Sequence, residues 1–181
     1  MKAALRRGAA AFALVAVAAY GCSALPPLGQ RSASVALQGT ETTPLGQAIA
    51  PLAAAHPGRS GVYPLVDGRD AFAARVLLTH SAKRSLDVQY YIWRDDLTGT
   101  LMLDALRTAA ARGVRVRLLL DDNNTGGLDP RLAAFDRAPN IEVRLFNPFA
   151  MRRWRSLGYL TDFSRLNRRM HNKSFTADNQ A

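Results

Sequence analysis

The 181-residue sequence is poor in the residues that cross-link a small fold or bind a metal. It contains one cysteine, Cys22, and three histidines. A single cysteine excludes an intramolecular disulfide bond. No group of histidine, cysteine and carboxylate residues has the spacing of a metal site. The sequence therefore predicts neither a disulfide framework nor a metal ion or other cofactor.

Acidic residues and lysines are also few. The chain has 24 basic residues, three of them lysine, against 14 acidic residues, which gives a net charge of +10. Its hydrophobic content of 48% is too high for a disordered chain and sufficient for the core of one ordinary domain. Guanidinium groups suit partners that carry phosphate, such as nucleic acid or anionic lipid. An excess of arginine also arises from genomic composition, so charge alone does not choose a partner.

Long hydrophobic runs are absent except near the N-terminus. The basic start "MKAALRR" precedes "GAAAFALVAVAA", twelve uncharged residues that have the length of a signal-peptide core. Residues 19–22, "AYGC", resemble the end of a bacterial lipoprotein signal, except that Ala19 stands where leucine is usual. We therefore expect a signal peptide at residues 1–21 and lipidation of Cys22. The alternatives are an ordinary signal peptide with a free thiol and a short uncleaved anchor.

This N-terminal pattern predicts where the protein resides. We expect it in the bacterial cell envelope, lipid-anchored and facing the periplasm, with the choice of inner or outer membrane left open. Five prolines and many small residues then predict a tether over residues 22–59, with a short helix near Leu45–Ala55. The folded domain is predicted to occupy residues 60–181.

Helical and strand patterns alternate along this domain. Strands are predicted at residues 85–93, 114–120, 141–146 and 170–177, and helices at 68–84, 94–113 and 128–138. This order predicts an α/β fold with a largely parallel or mixed sheet flanked by helices. Ligands bind beyond the carboxyl ends of strands in such sheets. Arg94–Asp96 and Asp121–Asn124 lie at such ends, where turn and helix-cap chemistry is the alternative.

A chemically distinctive stretch is "RRMHNKSFTADNQA", which holds His171, Lys173 and Asp178. If His171 and Lys173 are strand residues, both side chains leave the same face. An imidazole can attack phosphorus to form a covalent intermediate, and an ammonium can hold phosphoryl oxygens. A carboxylate at the strand's end can orient neighbouring groups by hydrogen bonds. The alternative is a basic strand that carries a histidine by chance.

Three segments together resemble one family. "MHNKSFTAD" resembles the HxKxxxxD motif of the phospholipase D superfamily, and "SLDVQYYIWRDDLTG" and "ARGVRVRLLLDD" resemble the segments that precede it in bacterial cardiolipin synthase-like members. The resemblance implies a phospholipase D-like sandwich. It also implies hydrolysis or phosphatidyl transfer on anionic phospholipids such as phosphatidylglycerol or cardiolipin. In that scheme His171 is the nucleophile, Lys173 the phosphate ligand and Asp178 a supporting carboxylate.

The family builds its active site from two such motifs, whereas this sequence contains one. The resemblance therefore implies an N-terminal half, truncated after the first motif and inactive alone. A second half would supply the other histidine, in cis or in trans, and which of the two histidines is the nucleophile is open. Two alternatives remain: a non-catalytic, membrane-binding lipoprotein remnant and a secreted nuclease of the same superfamily. The export signal disfavours nucleic acid as a partner.

Basic and aromatic residues alternate before the motif. Between Arg152 and Lys173 there are seven cations and one acid, with Trp154, Tyr159 and Phe163 among them. Such a segment is typical of a membrane-facing surface, a nucleic-acid-binding surface or a solvated loop.

Overall fold

The structure is a computed structural model that describes Leu25 and residues 33–181. The chain divides into two compact units. The larger unit comprises Ser34–Phe146 and Met170–Ala181, and the smaller unit includes Asn147–Arg169. The larger unit contains the sheet and the motif residues.

The predicted signal peptide at residues 1–21 and the predicted lipidation site, Cys22, lie outside the described residues. Among the residues that the structure does describe, no helix combines the length and the apolar character needed to cross a bilayer.

The larger unit is built on a four-stranded mixed sheet. Its strands are β1 (Ser85–Tyr90), β2 (Arg115–Asp121), β3 (Ile141–Phe146) and β4 (Lys173–Ala177), in the order β3-β2-β1-β4. The first three strands are parallel, and β4 runs antiparallel to β1. The predicted α/β fold with a largely parallel or mixed sheet is confirmed.

The part of the chain that the structure describes contains five α-helices: α1 (Pro44–Ala55), α2 (Gly68–Ser81), α3 (Leu97–Ala111) and α4 (Asp129–Asp136) in the larger unit, and α5 (Arg155–Leu166) in the smaller unit. A 3₁₀ turn at Asp122–Asn124 follows β2 directly. Helix α3 buries a row of residues at helical spacing, which includes Met102, Leu106 and Ala109. These side chains join Leu86, Val88, Val116, Leu118 and Leu120 of the sheet in one hydrophobic core.

The start of α3 is fixed by a side-chain cap. Asp96 accepts hydrogen bonds from the Gly99 amide at 2.8 Å and from the Thr98 hydroxyl at 2.7 Å. The hydrogen bond from the Gly99 amide has the largest effect, followed by the one from the Thr98 hydroxyl, and both lower the pKa of the Asp96 carboxyl. A β-carbon on Gly99 would lie 2.1 Å from the carbonyl oxygen of Arg94, so the turn requires glycine there. For Asp96, the helix-cap interpretation is confirmed.

Part of the predicted tether contacts the sheet. The helix expected near Leu45–Ala55 is present as α1. Ahead of it, three side chains of the larger unit donate hydrogen bonds to residues 34–40. These bonds join Arg117 to the Ser34 hydroxyl at 3.0 Å, Arg115 to the Val35 carbonyl at 3.0 Å and Gln180 to the Thr40 hydroxyl at 3.0 Å. The domain division at residue 60 stays a prediction.

The smaller unit contains a helix that the sequence patterns did not predict. Helix α5 has a break in its helical backbone at Asp162, where φ is −146° and ψ is 39°. Phe149 packs edge-on against Tyr159, with ring centroids 5.5 Å apart, and Arg169 lies over the Phe149 ring at 5.1 Å. Aromatic packing therefore orders this basic segment.

Candidate active site at the carboxyl edge of the sheet

Three segments of the larger unit meet at one edge of the sheet. Strands β1 and β2 are parallel, so both end at this edge, at Tyr90 and Asp121. Strand β4 is antiparallel to β1, so it begins there, with Lys173 opposite Tyr90. The edge carries the carboxyl ends of β1 and β2, which is where α/β sheets place their ligands.

The motif histidine and lysine are adjacent at this edge. The Lys173 Nζ atom lies 3.4 Å from Nε2 and 3.5 Å from Nδ1 of His171. Both side chains are exposed. The prediction that both are strand residues is wrong for His171, because β4 begins at Lys173. The two side chains nevertheless converge, with one residue between them along the chain.

Tyr91 is a third member of the site. Its ring centroid lies 4.6 Å from that of His171, and the Lys173 Nζ atom lies 5.5 Å from the same ring. The tyrosine therefore packs against the imidazole and offers a cation–π contact to the ammonium. Tyr91 was predicted within the strand at residues 85–93, on a face that either reaches a pocket or packs under a helix, and the structure ends that strand one residue earlier, at Tyr90. The available signal was its place near the carboxyl end of a strand in a parallel sheet.

Groups at the end of β2 and in the 3₁₀ turn that follows it support this arrangement. Asp121 is fully buried and accepts hydrogen bonds from the amides of Met170 at 2.8 Å and Asn123 at 2.9 Å. The Asn124 side chain donates to the Tyr91 carbonyl at 3.1 Å. Asp121 therefore fixes the main chain one residue before His171, and Asn124 fixes it at Tyr91. The Asp121–Asn124 segment is a support for the site in addition to a turn.

The motif aspartate lies at the other end of β4. Asp178 is fully buried, and its Oδ1 atom accepts hydrogen bonds from the amides of Arg84 at 2.7 Å and Ser85 at 3.0 Å. Its Oδ2 atom accepts one from Lys83 at 2.9 Å. Asp178 lies five positions beyond Lys173 along the strand, a rise of roughly 16 Å. The structure therefore does not bring Asp178 together with His171, and its hydrogen bonds hold the start of β1.

The open cluster of His171, Lys173 and Tyr91 has the components of a covalent phosphoryl-transfer site. An imidazole nitrogen is a nucleophile, and the ammonium beside it can hold phosphoryl oxygens while charge develops on them. Among residues 33–181 and Leu25, no group of histidine, cysteine and carboxylate side chains could hold a metal ion.

The sequence matches a family model described as "Cardiolipin synthase, PLD-like domain" over residues 77–181, which is more than half of the chain. The chain belongs to this family. The matched region runs from α2 to the end of the chain and contains the sheet and all of the residues described at its edge.

Relatives within the cardiolipin synthase-like family include several bacterial synthases. Cardiolipin synthase C of Escherichia coli (strain K12) is 63% identical over 134 residues, which cover 74% of this chain and 28% of that protein. The major cardiolipin synthase ClsA of Bacillus subtilis (strain 168) is 33% identical over 88 residues, which cover 49% of this chain and 18% of that protein. The chain thus spans between a sixth and a third of the length of these relatives.

Among solved structures, NucT from Helicobacter pylori is similar with a TM-score of 0.37 and 23% identity. The match covers 43% of this chain and 47% of that one.

Proposed function

We propose that the chain supplies one half of a phospholipase D-type site that transfers phosphatidyl groups between alcohols. The observation that carries the proposal is the contact of His171 with Lys173 beyond the carboxyl ends of β1 and β2. The identity to cardiolipin synthases supports a phospholipid phosphodiester as substrate. Among phospholipids, we favour an anionic substrate, phosphatidylglycerol or cardiolipin.

The reaction proceeds in two displacements at phosphorus. A nitrogen of His171 attacks the phosphodiester, a P–N bond forms, and the P–O bond to the first alcohol breaks. A histidine of the second motif protonates the departing alkoxide. The acceptor alcohol, or water in hydrolysis, then attacks phosphorus, gives its proton to that second histidine and releases His171. Lys173 binds the phosphoryl oxygens in both steps.

Each motif residue has a separate task in this scheme. His171 and Lys173 touch the reacting group, whereas Asp178 is a positioning residue that holds β4 against the start of β1. Tyr91 orients the imidazole through ring contact. The second histidine comes from another half, in cis or in trans, so we expect no turnover from the 181-residue chain alone.

We also propose attachment to the cell envelope through Cys22, facing the periplasm. The support is in the sequence: a basic start, an apolar run of twelve residues and the lone cysteine. Mass spectrometry of the mature N-terminus tests this, with a diacyl or triacyl modification on Cys22 expected. An unmodified peptide that extends upstream through Gly21 contradicts it.

The proposed function is tested in a two-motif protein, in which this chain is joined to a second half that carries HxKxxxxD. Turnover is measured on phosphatidylglycerol vesicles and on single-stranded DNA, separately and in competition. We expect phosphatidyl transfer that DNA does not inhibit. Turnover of DNA with none of phospholipid would favour the secreted nuclease, and vesicle binding with no turnover would favour the non-catalytic remnant.

A further inference from the structure

Helix α5 in the smaller unit has an inner face that packs within the unit. Gly158 and Leu166 are buried, and Tyr159 and Arg165 are half-buried. A β-carbon on Gly158 would lie 3.1 Å from Leu166 Cδ1 and 3.4 Å from Phe149 Cδ1. These contacts fix which side of the helix is turned inward.

The stretch from Trp154 to Phe163 exposes four large apolar side chains, which we call the apolar stripe. Its members are spaced three residues apart, and their exposed fractions are Trp154 62%, Leu157 44%, Leu160 83% and Phe163 59%. Leu157 and Leu160 lie three apart in the unbroken part of α5 and are neighbours on its surface, whereas Trp154 precedes the helix and Phe163 follows the break at Asp162. Single exposed hydrophobic residues are ordinary, but four within ten residues form a patch that marks an interaction surface.

Positive charge surrounds the apolar stripe. Residues 147–169 contain six arginines and one acid, Asp162. That acid is paired with Arg165, whose Nε atom lies 2.5 Å from its carboxylate. Arg153 and Arg168 are exposed at the two ends of the segment. The surface is therefore apolar at its centre and cationic at both ends along the chain.

We propose that the apolar stripe inserts into the headgroup boundary of a bilayer that contains anionic phospholipid. A helix of twelve residues is too short to span a bilayer, but an amphipathic helix of this kind can lie in the interface. Arginines beside it contact lipid phosphates, and Trp154 is suited to the headgroup level. Nucleic acid is the poorer partner, because two members of the stripe are leucines, which cannot stack on bases.

This inference does not depend on turnover, so it is tested on the full 181-residue chain without a second half. The vesicles contain phosphatidylglycerol and phosphatidylcholine with brominated acyl chains, which quench tryptophan near the acyl boundary. Trp154 is expected to be quenched. The variant Trp154→Phe retains Trp93, which is 7% exposed and lies in the core, and its quenching provides the baseline.

A matched pair of leucine variants separates the stripe from other membrane contacts. Leu160→Ser is expected to weaken vesicle partitioning about tenfold, since a large aliphatic side chain is no longer buried. Leu77→Ser alters another leucine, 65% exposed on α2, and is expected to change nothing. A contribution from the N-terminal segment is the same in both variants and cancels in the comparison.

The charge requirement is tested in the same assay. Arg153→Gln and Arg168→Gln are each expected to weaken binding about fivefold on phosphatidylglycerol vesicles and to have no effect on pure phosphatidylcholine.

Equal quenching of the chain and of Trp154→Phe overturns the proposal. Equal partitioning of Leu160→Ser and Leu77→Ser, or displacement from vesicles by single-stranded DNA with loss of Trp154 quenching, overturns it as well.

Discussion

Asp178 and Ser85 are joined by two hydrogen bonds that run in opposite directions. The Ser85 amide donates to the Asp178 carboxylate at 3.0 Å, and the Asp178 amide donates to the Ser85 carbonyl at 2.8 Å. The last residue of the motif thus clamps the first residue of β1. At the other end of β4, Asp121 holds the amide of Met170. Two buried carboxylates, Asp121 and Asp178, therefore hold the chain on either side of the histidine and the lysine.

Loss of the Asp178 carboxylate is expected to destabilise the fold. Asp178→Ala leaves the amides of Lys83, Arg84 and Ser85 without their acceptor, and we expect a loss of about 3–5 kcal/mol in the free energy of unfolding. Asp178→Asn retains one acceptor oxygen and tolerates the left-handed backbone at φ 50°, so we expect a smaller loss of about 1–2 kcal/mol.

Urea unfolding of these variants measures both effects. Asp104→Ala provides the control, because Asp104 is exposed on α3, and it should stay within about 0.5 kcal/mol of the parent. The clamp would be refuted by an Asp178→Ala protein that is as stable as Asp104→Ala.

The Asp96 cap is expected to make stability depend on pH in acid. The pKa of Asp96 is lowered in the fold by the hydrogen bonds from Gly99 and Thr98. The stability that the Asp96 carboxylate gives to the fold is therefore fully present above its ordinary pKa of 3.8. This stability is lost as the pH falls through the lowered pKa of the folded state. Asp96→Ser retains a capping oxygen that does not titrate.

Denaturant midpoints of the parent and of Asp96→Ser between about pH 6 and pH 2 test this sign. The stability of the parent relative to the variant should fall over the acid part of the range. A difference that is constant with pH would show that the Asp96 charge does not stabilise the cap.

The Tyr91 ring is expected to contribute by orienting His171. In the two-motif protein, Tyr91→Ala should lower kcat about tenfold with little change in KM, which corresponds to about 1.4 kcal/mol of barrier. Tyr91→Phe retains the ring and should remain near the parent. If phenylalanine and alanine reduce kcat equally, the hydroxyl is the functional group and the ring-contact explanation fails.

Lys173 is expected to stabilise charge on the phosphoryl oxygens. Lys173→Ala should lower kcat by on the order of a hundredfold, about 2–4 kcal/mol of barrier. Lys173→Arg should recover part of this, because a planar guanidinium does not reproduce a compact ammonium. Lys83→Ala is the matched control, since Lys83 is another of the three lysines and its side chain is exposed. Equal rates for Lys173→Ala and Lys83→Ala would remove Lys173 from the site.

The local patterns of the sequence were sufficient to predict the sheet. Residues 141–146 were predicted as a strand and form β3 with the same bounds. The prediction for His171 failed because the period of a strand does not indicate where hydrogen bonding to β1 begins. The interactions of Asp121 and Asp178 link residues 49 and up to 95 positions apart, so no local pattern reveals them.

Helix α5 was missed for a different reason. Its exposed side carries Leu157, Leu160 and Phe163, where a typical surface helix carries polar residues, and the arginines interrupt the apolar period. The inward side is marked by Gly158, a residue that usually argues against a helix interior. A helix that exposes most of its large apolar side chains is the opposite of the pattern by which surface helices are predicted.

The most direct measurement is phosphatidyl transfer by the two-motif protein with His171 intact or replaced. We expect His171→Asn to retain the circular dichroism spectrum and urea midpoint of the parent, because the His171 side chain is exposed and asparagine is small and polar. We expect His171→Asn and His171→Ala to lose at least about a thousandfold in rate, since neither side chain can form the P–N bond or move a proton. Transfer that continues at the parental rate in His171→Ala would contradict the assignment of the active site to His171 and Lys173.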